Sequence, residues 1–170
     1  MAIENHMSPT RSGGHSARFV EVRWSLASKR AEITPFVDQL IAFIRSFIRK
    51  HGFTDGTEED IETAVREALA NAIIHGNQED PRKQVYVTVS CGSDGEVSIS
   101  VRDEGRGFDP GVLPDPTDRN NLLLSHGRGI YLIRTVMDQV SFEEHGRVVC
   151  MRKKLTGPSH PANRAQSLPN

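Results

Sequence analysis

The sequence is poor in several features that would point to specialised classes of protein. Its 170 residues include only two cysteines, and the formal net charge is -1. A charge so close to zero creates no overall field that would favour direct binding to nucleic acid or to a membrane surface. There is also no apolar run of about 18 residues, so the sequence predicts no transmembrane helix.

The cysteines and the N-terminal residues both favour a cytoplasmic protein. Cys91 and Cys150 lie in apolar, strand-like stretches, where we expect buried free thiols rather than a disulfide. Residues 1–18 lack the apolar core that a secretory signal requires.

Apolar periodicity divides the chain into one globular part and two flanking segments. Residues 1–17 and 156–170 are rich in Ser, Gly, Pro and Asn without a regular apolar pattern, and we expect both to be disordered. Residues 18–155 are long enough for one domain with one sizeable core.

Within 18–155 the pattern predicts an α+β fold, a two-layer sandwich with helices on one face of a mixed, mostly antiparallel sheet. The predicted order is β-α-α-β-β-loop-α-β-β. The elements are a strand at 18–27, a helix capped by Thr34 and ended by Gly52, a helix from Thr57 to Gly76, a hairpin at 84–91 and 96–103, a long segment at 104–126, a helix starting near Gly129, and a hairpin at 139–144 and 147–155.

A row of polar side chains on the second helix stands out. Glu67 and Asn71 are four residues apart and share one face, and His75 continues the row among small and apolar neighbours. An exposed polar stripe is the simpler interpretation of each residue alone. Because His-poor spacing argues against zinc, the alternative is a Mg²⁺ site that uses the amide oxygen with phosphates and waters, beside a carboxylate free to act as a base.

The stretch "VRDEGRGFDP" at 101–110 ends a predicted strand with two acids and two glycines. Glycine removes the Cβ that blocks close approach of a ligand, but an ordinary hairpin turn needs nothing more. Taken alone, this stretch therefore favours neither a turn nor a binding site.

Three segments together resemble a known family. The strings "EALANAIIHGN" (67–77), "DEGRGFDP" (103–110) and "HGRGIYLIRTVMD" (126–138) occur in this order. They are similar to the three ATP-binding boxes of the GHKL superfamily, and most similar to bacterial anti-sigma factor serine/threonine kinases of partner-switching systems. The resemblance covers 18–155 and implies the Bergerat ATP-binding fold, with ATP and Mg²⁺ as cofactors.

The resemblance assigns roles to residues of the first two boxes. It implies that Asn71 binds Mg²⁺ and that Glu67 is the general base for attack on the γ-phosphate. It implies that Asp103 accepts a hydrogen bond from the adenine amine, while Gly105 and Gly107 let the backbone approach the base. We interpret the neighbouring Glu104 as a solvated side chain.

In the third box, Gly127 and Gly129 would bracket the phosphates at the start of the third helix, where unpaired N–H groups favour anions. Segment 109–126 would form a lid over the nucleotide. Arg119 within it is a candidate phosphate contact. The best-known family members carry an arginine two residues before the first glycine of this box, where this chain has Ser125.

Two further residues have open roles. His75 either lies near the nucleotide or is an ordinary histidine at a helix end. Arg128, between the glycines of the third box, points either to phosphate or to solvent.

The resemblance leads to a functional hypothesis with named alternatives. We expect an anti-sigma factor kinase that phosphorylates a small anti-anti-sigma antagonist and binds a sigma factor, with the first strand and first helix supplying the sigma-binding or homodimer surface. The main alternative is an ATP-binding regulatory module that switches partners without efficient phosphotransfer. A detached histidine-kinase catalytic domain is less favoured, because His6 and His15 lie in a stretch without helical periodicity.

Overall fold

The computed structural model describes residues 2–6, 19–54, 56–109 and 128–157. The elements, in chain order, are β1 (Ala2–His6), β2 (Phe19–Ala27), a 3₁₀ turn (Arg30–Glu32), α1 (Ile33–His51), α2 (Glu58–Ala70), a π-helical turn (Asn71–Gly76), β3 (Gln84–Gly92), β4 (Glu96–Arg102), α3 (Arg128–Val136), β5 (Gln139–Glu143) and β6 (Val148–Lys154). Among these described elements, no helix is both long and apolar enough to cross a membrane.

The six strands form one sheet in the order β1-β2-β3-β4-β6-β5. The expected α+β class is confirmed, but the expected mixed sheet is wrong, because every neighbouring pair of described strands is antiparallel. The connections explain this. Tight turns join β3 to β4 and β5 to β6. The two helices between β2 and β3 return the chain to the same end of the sheet at which β2 finishes.

Strand β1 corrects the expectation of disorder for residues 2–6 only, whereas residues 7–17 lie outside the described residues. Residues 2–6 pair with β2, with Ala2 opposite Ser25 and His6 opposite Glu21. The unpaired N–H and C=O groups of an outer strand can bind another strand through the backbone alone. Side-chain periodicity is therefore a poor guide to such a short edge strand.

The core lies between the helices and one face of the sheet. Alternate residues of β2 are buried, namely Val22, Trp24 and Leu26, as the period-two pattern predicts. The Trp24 ring meets the rings of Phe36 and Phe43 on α1 edge-to-face, at centroid distances of 5.7 and 6.0 Å. Helix α2 packs between α1 and α3, so its polar row can face α3.

The helix ends differ in part from the sequence prediction. Gly52 ends α1 with a φ of 72° and donates its N–H to the Ile48 carbonyl, as predicted. Thr34 does not cap α1, because the helix already begins at Ile33 after the 3₁₀ turn. Thr57 does precede α2, but its hydroxyl makes no capping bond.

Both cysteines are free thiols, as predicted, but Cys150 is only half-buried. Cys91 is fully buried on β3. This burial raises the pKa of its thiol to about 12, so the group is an un-ionised part of the core at neutral pH.

Candidate nucleotide site

The antiparallel order brings four chain segments to one end of the sheet, where strands begin and finish. Helix α2 ends there, β4 ends there at Arg102, and α3 begins there at Arg128. The turn between β5 and β6 lies at the same end, because β6 starts opposite the end of β4. Described residues of all three predicted boxes therefore lie at this end of the sheet.

Glu67 and Asn71 both lie against the first turn of α3. A Cβ placed on Gly129 would be 2.6 Å from Glu67 Oε2 and 3.3–3.4 Å from the amide atoms of Asn71. The two side chains therefore point to the same spot, as their spacing of four residues predicts. Gly129 is buried there, and its missing side chain leaves room for the carboxylate.

The helix that carries these residues changes its winding at Asn71. Residues 71–76 form a π-helical turn, and the last bond of this type runs from the Asn77 N–H to the Ala72 carbonyl at 2.8 Å. The sequence predicts one continuous helix to Gly76, so this turn is a correction. Single π-helical turns within helices are rare and are frequent at functional sites.

Asp103 is a nearly buried carboxylate at the end of β4, with only 8% of its surface exposed. Its Oδ1 accepts a hydrogen bond from the Gly105 N–H at 2.7 Å. Burial raises the pKa of this carboxyl above its ordinary value. A carboxylate has about four acceptor positions, so Asp103 can still accept a bond from a ligand amine.

Gly76 and Gly105 create the space around Asp103. A Cβ on Gly76 would lie 2.5 Å from the Asp103 carboxyl carbon, and one on Gly105 would overlap the Gly76 carbonyl oxygen. The two glycines let the end of the π-helical turn and the end of β4 approach each other closely. Sequence reasoning predicted a special role for Gly105 but gave none to Gly76.

Gly107 has a structural reason that the sequence does not reveal. Its φ is 75°, and a Cβ there would overlap the His145 carbonyl oxygen in the β5–β6 turn. The next residue, Phe108, donates its N–H to the same oxygen at 2.8 Å. Gly107 therefore lets residues 105–109 pack on the turn, and any contact with a base remains a prediction.

Two residues beside Asp103 were not assigned a role from the sequence. Asn77 is fully buried and its side-chain amide bridges two backbone groups, accepting from the Glu104 N–H at 2.8 Å and donating to the Gln84 carbonyl at 2.9 Å. The Glu104 carboxylate accepts from the Gln84 N–H at 2.8 Å and from the Tyr86 hydroxyl at 3.0 Å. The interpretation of Glu104 as merely solvated is therefore wrong, although the residue is exposed.

The remaining candidates are less closely tied to the site. His75 is exposed on the π-helical turn, and Arg128 is exposed at the start of α3. Arg119, Ser125 and Gly127 lie outside the described residues, so their predicted positions stay predictions.

The residues present fit a nucleotide with a divalent cation. In the described part of the chain, no group of three or more His, Cys, Asp or Glu side chains is placed to hold a metal ion. Asn71 with phosphate and water oxygens is the kind of hard, incomplete ligand set that Mg²⁺ uses. The N-terminus of α3, a helix of nine residues, lies beside it and favours anions.

Comparison with known proteins agrees with this geometry. Residues 20–153 match the model of the family described as "Histidine kinase-like ATPase domain". An anti-sigma F factor from Geobacillus thermodenitrificans is 34% identical over 134 residues, which cover 75% of this chain and 88% of that protein. The serine-protein kinase RsbW of Bacillus subtilis is 34% identical over 113 residues, covering 62% of this chain and 70% of the kinase.

A solved structure shares the fold. It contains the RsbU and RsbW domains of a Mycobacterium tuberculosis protein and superposes with a TM-score of 0.53 at 19% identity, over 81% of this chain. This chain spans only 33% of that longer one. At so low an identity, the likeness concerns the fold alone.

Proposed function

Because the chain belongs to the family of histidine kinase-like ATPase domains, we propose that it is an anti-sigma factor that is also a serine/threonine protein kinase. It binds Mg-ATP and transfers the γ-phosphate to a small anti-anti-sigma antagonist. The names of its relatives, anti-sigma F factors and a serine-protein kinase, support both halves of this function.

The contact of Glu67 and Asn71 with the start of α3 is the observation that carries the catalytic part. Phosphoryl transfer depends mainly on positioning and on neutralising charge. A base, a metal ligand and a helix N-terminus at one spot meet these needs. Binding adenine or a cation does not require Glu67, so its position at this spot favours catalysis over binding alone.

The proposed binding mode places the two ends of the nucleotide at two described groups of residues. Asp103 accepts a hydrogen bond from the adenine amine beside Gly76 and Gly105, and the phosphates lie between Asn71 and the N-terminus of α3.

The residues at the phosphate end have separate roles. Asn71 would hold Mg²⁺, which neutralises phosphate charge during transfer. Glu67 orients the attacking hydroxyl and accepts its proton. Gly127 and Arg128 complete the phosphate end, and His75 and Arg119 are weaker candidates there.

The proposal includes partners and location. The antagonist is the phosphate acceptor, a sigma factor is the regulated partner, and β2 with α1 supplies the sigma-binding or homodimer surface. The protein acts in the cytoplasm, without direct contact to nucleic acid or membrane.

Incubation with γ-labelled ATP and a purified anti-anti-sigma protein from the same organism tests the function. We expect label on a serine or threonine of the antagonist. The substitution Glu67→Gln should slow this transfer by roughly 100-fold or more, the usual scale for loss of a general base, with nucleotide binding nearly unchanged. Glu62→Gln is the matched control, because Glu62 lies on the same helix but pairs with Arg66.

Two results would count against the kinase. Tight ATP binding without any transfer to the antagonist would favour the alternative, a regulatory module that switches partners in response to nucleotide. An unchanged rate in Glu67→Gln would remove this residue from the mechanism.

A further inference from the structure

Selection of adenine by Asp103 requires that its carboxylate be held in one orientation. The side chain of Asn77 bonds to the backbone directly beside Asp103. Asn77 directly follows the π-helical turn and is 0% exposed. Its side-chain oxygen accepts from the N–H of Glu104, the residue next to Asp103, and its side-chain nitrogen donates to the carbonyl at the start of β3. The amide therefore fixes the backbone beside Asp103 to two other segments.

Glu104 closes the same linkage from the solvent side. Its carboxylate accepts from the Gln84 N–H and the Tyr86 hydroxyl on β3, while its own N–H is held by Asn77. On the other side, the Asp103 N–H donates to the Arg147 carbonyl at 3.0 Å. The backbone is thus fixed on both sides of Asp103, and the Gly105 N–H holds one oxygen of its carboxylate at 2.7 Å.

We propose that Asn77 and Glu104 are positioning residues that set the selectivity of this site for adenine over a 6-oxo purine. Neither needs to touch the nucleotide. They hold the Asp103 acceptor where a 6-amino group can donate to it and where a 6-oxo group would meet its negative charge. This inference rests on the proposed function, because it takes Asp103 as the residue that contacts the base.

The test compares the dissociation constants of ADP and IDP, which carry a 6-amino and a 6-oxo group, by isothermal titration calorimetry. In Asn77→Ala and Glu104→Ala we expect ADP to bind about tenfold more weakly, the scale of one lost hydrogen bond to a charged group. IDP should bind equally well or better, so the dissociation constant of IDP divided by that of ADP falls. Glu104→Ala guards against failure of Asn77→Ala to fold, since Glu104 is exposed.

Glu79→Ala is the matched control, because Glu79 lies two residues after Asn77 but its carboxylate pairs with Arg30 at 2.6 Å. It should leave the ratio unchanged. A purely structural role of Asn77 and Glu104 would lower the melting temperature and weaken both nucleotides equally, which would overturn the proposal.

Asp103→Asn separates this inference from the proposed function. If Asp103→Asn abolishes the preference for ADP but Asn77→Ala and Glu104→Ala do not reduce it, the positioning role is wrong and the site assignment stands. If Asp103→Asn leaves the preference intact, Asp103 does not contact the base, and both the positioning role and the proposed adenine contact are wrong, while the phosphotransfer assay still decides the kinase function.

Discussion

The substitution Gly76→Ala tests the proposed base site with a single added methyl group. The new Cβ would lie 2.5 Å from the Asp103 carboxyl carbon and 2.6–2.7 Å from its two oxygens. Carbon atoms in contact are normally about 3.5–4.0 Å apart. The carboxylate must therefore retreat by about 1 Å, or the end of the π-helical turn must move by as much.

That displacement sets the size of the expected effect. A hydrogen bond of about 2.9 Å to a base amine would lengthen to about 3.9 Å, beyond the range of an effective bond. A hydrogen bond to a charged group contributes about 1.5–3 kcal/mol, so ADP should bind about 10- to 150-fold more weakly. The fold should persist, because Ala is favoured over Gly within a helix by about 0.5–1 kcal/mol.

Calorimetric titration with ADP, together with a thermal unfolding curve, measures both effects. Gly157→Ala is the matched control, since Gly157 is exposed and lies beside Phe53 near Gly95. Gly95 precedes β4 and Asp103 follows it, so the control lies at the end of the sheet opposite to Asp103. A folded Gly76→Ala protein that binds ADP within twofold of the parent would show that the base does not lie beside Asp103.

Three further substitutions test the site and the fold. Asp103→Asn should weaken ADP binding yet stabilise the nucleotide-free protein by on the order of 1 kcal/mol at pH 7, measured by urea denaturation. Burial raises the pKa of Asp103, so this carboxyl favours folding below its unfolded pKa and loses that contribution as the pH rises through its folded pKa. A gain in unfolding free energy at pH 7 that persists below about pH 3.9 would therefore contradict this reasoning. Gly129→Ala should push the Glu67 carboxylate away, since the new Cβ would lie 2.6 Å from it, and slow phosphotransfer by roughly 100-fold; a rate equal to that of the parent would refute the contact. Lys153→Met should cost about 1–2 kcal/mol in urea denaturation, because the Lys153 side chain is only 14% exposed and its ammonium lies 2.8 Å from a carboxylate of α2. The control Lys154→Met, at a side chain 54% exposed, should cost less than about 0.5 kcal/mol. Equal costs would show that burial does not decide the difference.

The sequence was sufficient wherever a local pattern decides the structure. The alternation in β2 and the spacing of Glu67 and Asn71 predict which side chains share a face, and the structure confirms both. Gly52 was predictable as a helix end for the same reason, since a left-handed residue there satisfies a carbonyl of the last turn. Each of these depends on a few neighbouring residues.

The sequence was insufficient wherever distant segments decide the structure. Nothing in "NAIIHG" distinguishes a π-helical turn from an α-helix, and the Asn77 side chain that follows this turn bonds to residues 84 and 104, which lie further along the chain. The need for glycine at position 76 arises only when β4 brings Asp103 beside it. The role of Glu104 likewise depends on the start of β3, about 20 residues earlier in the chain.

The anchoring of Phe108 on the β5–β6 turn has a consequence for how the protein can change over evolution. The Phe108 ring packs on Gly146 and meets Phe142 edge-to-face at 5.6 Å. A side chain at position 146 would collide with the Phe108 ring. A substitution at Gly146 should therefore be tolerated only together with a smaller residue at position 108, so these two positions are expected to change together.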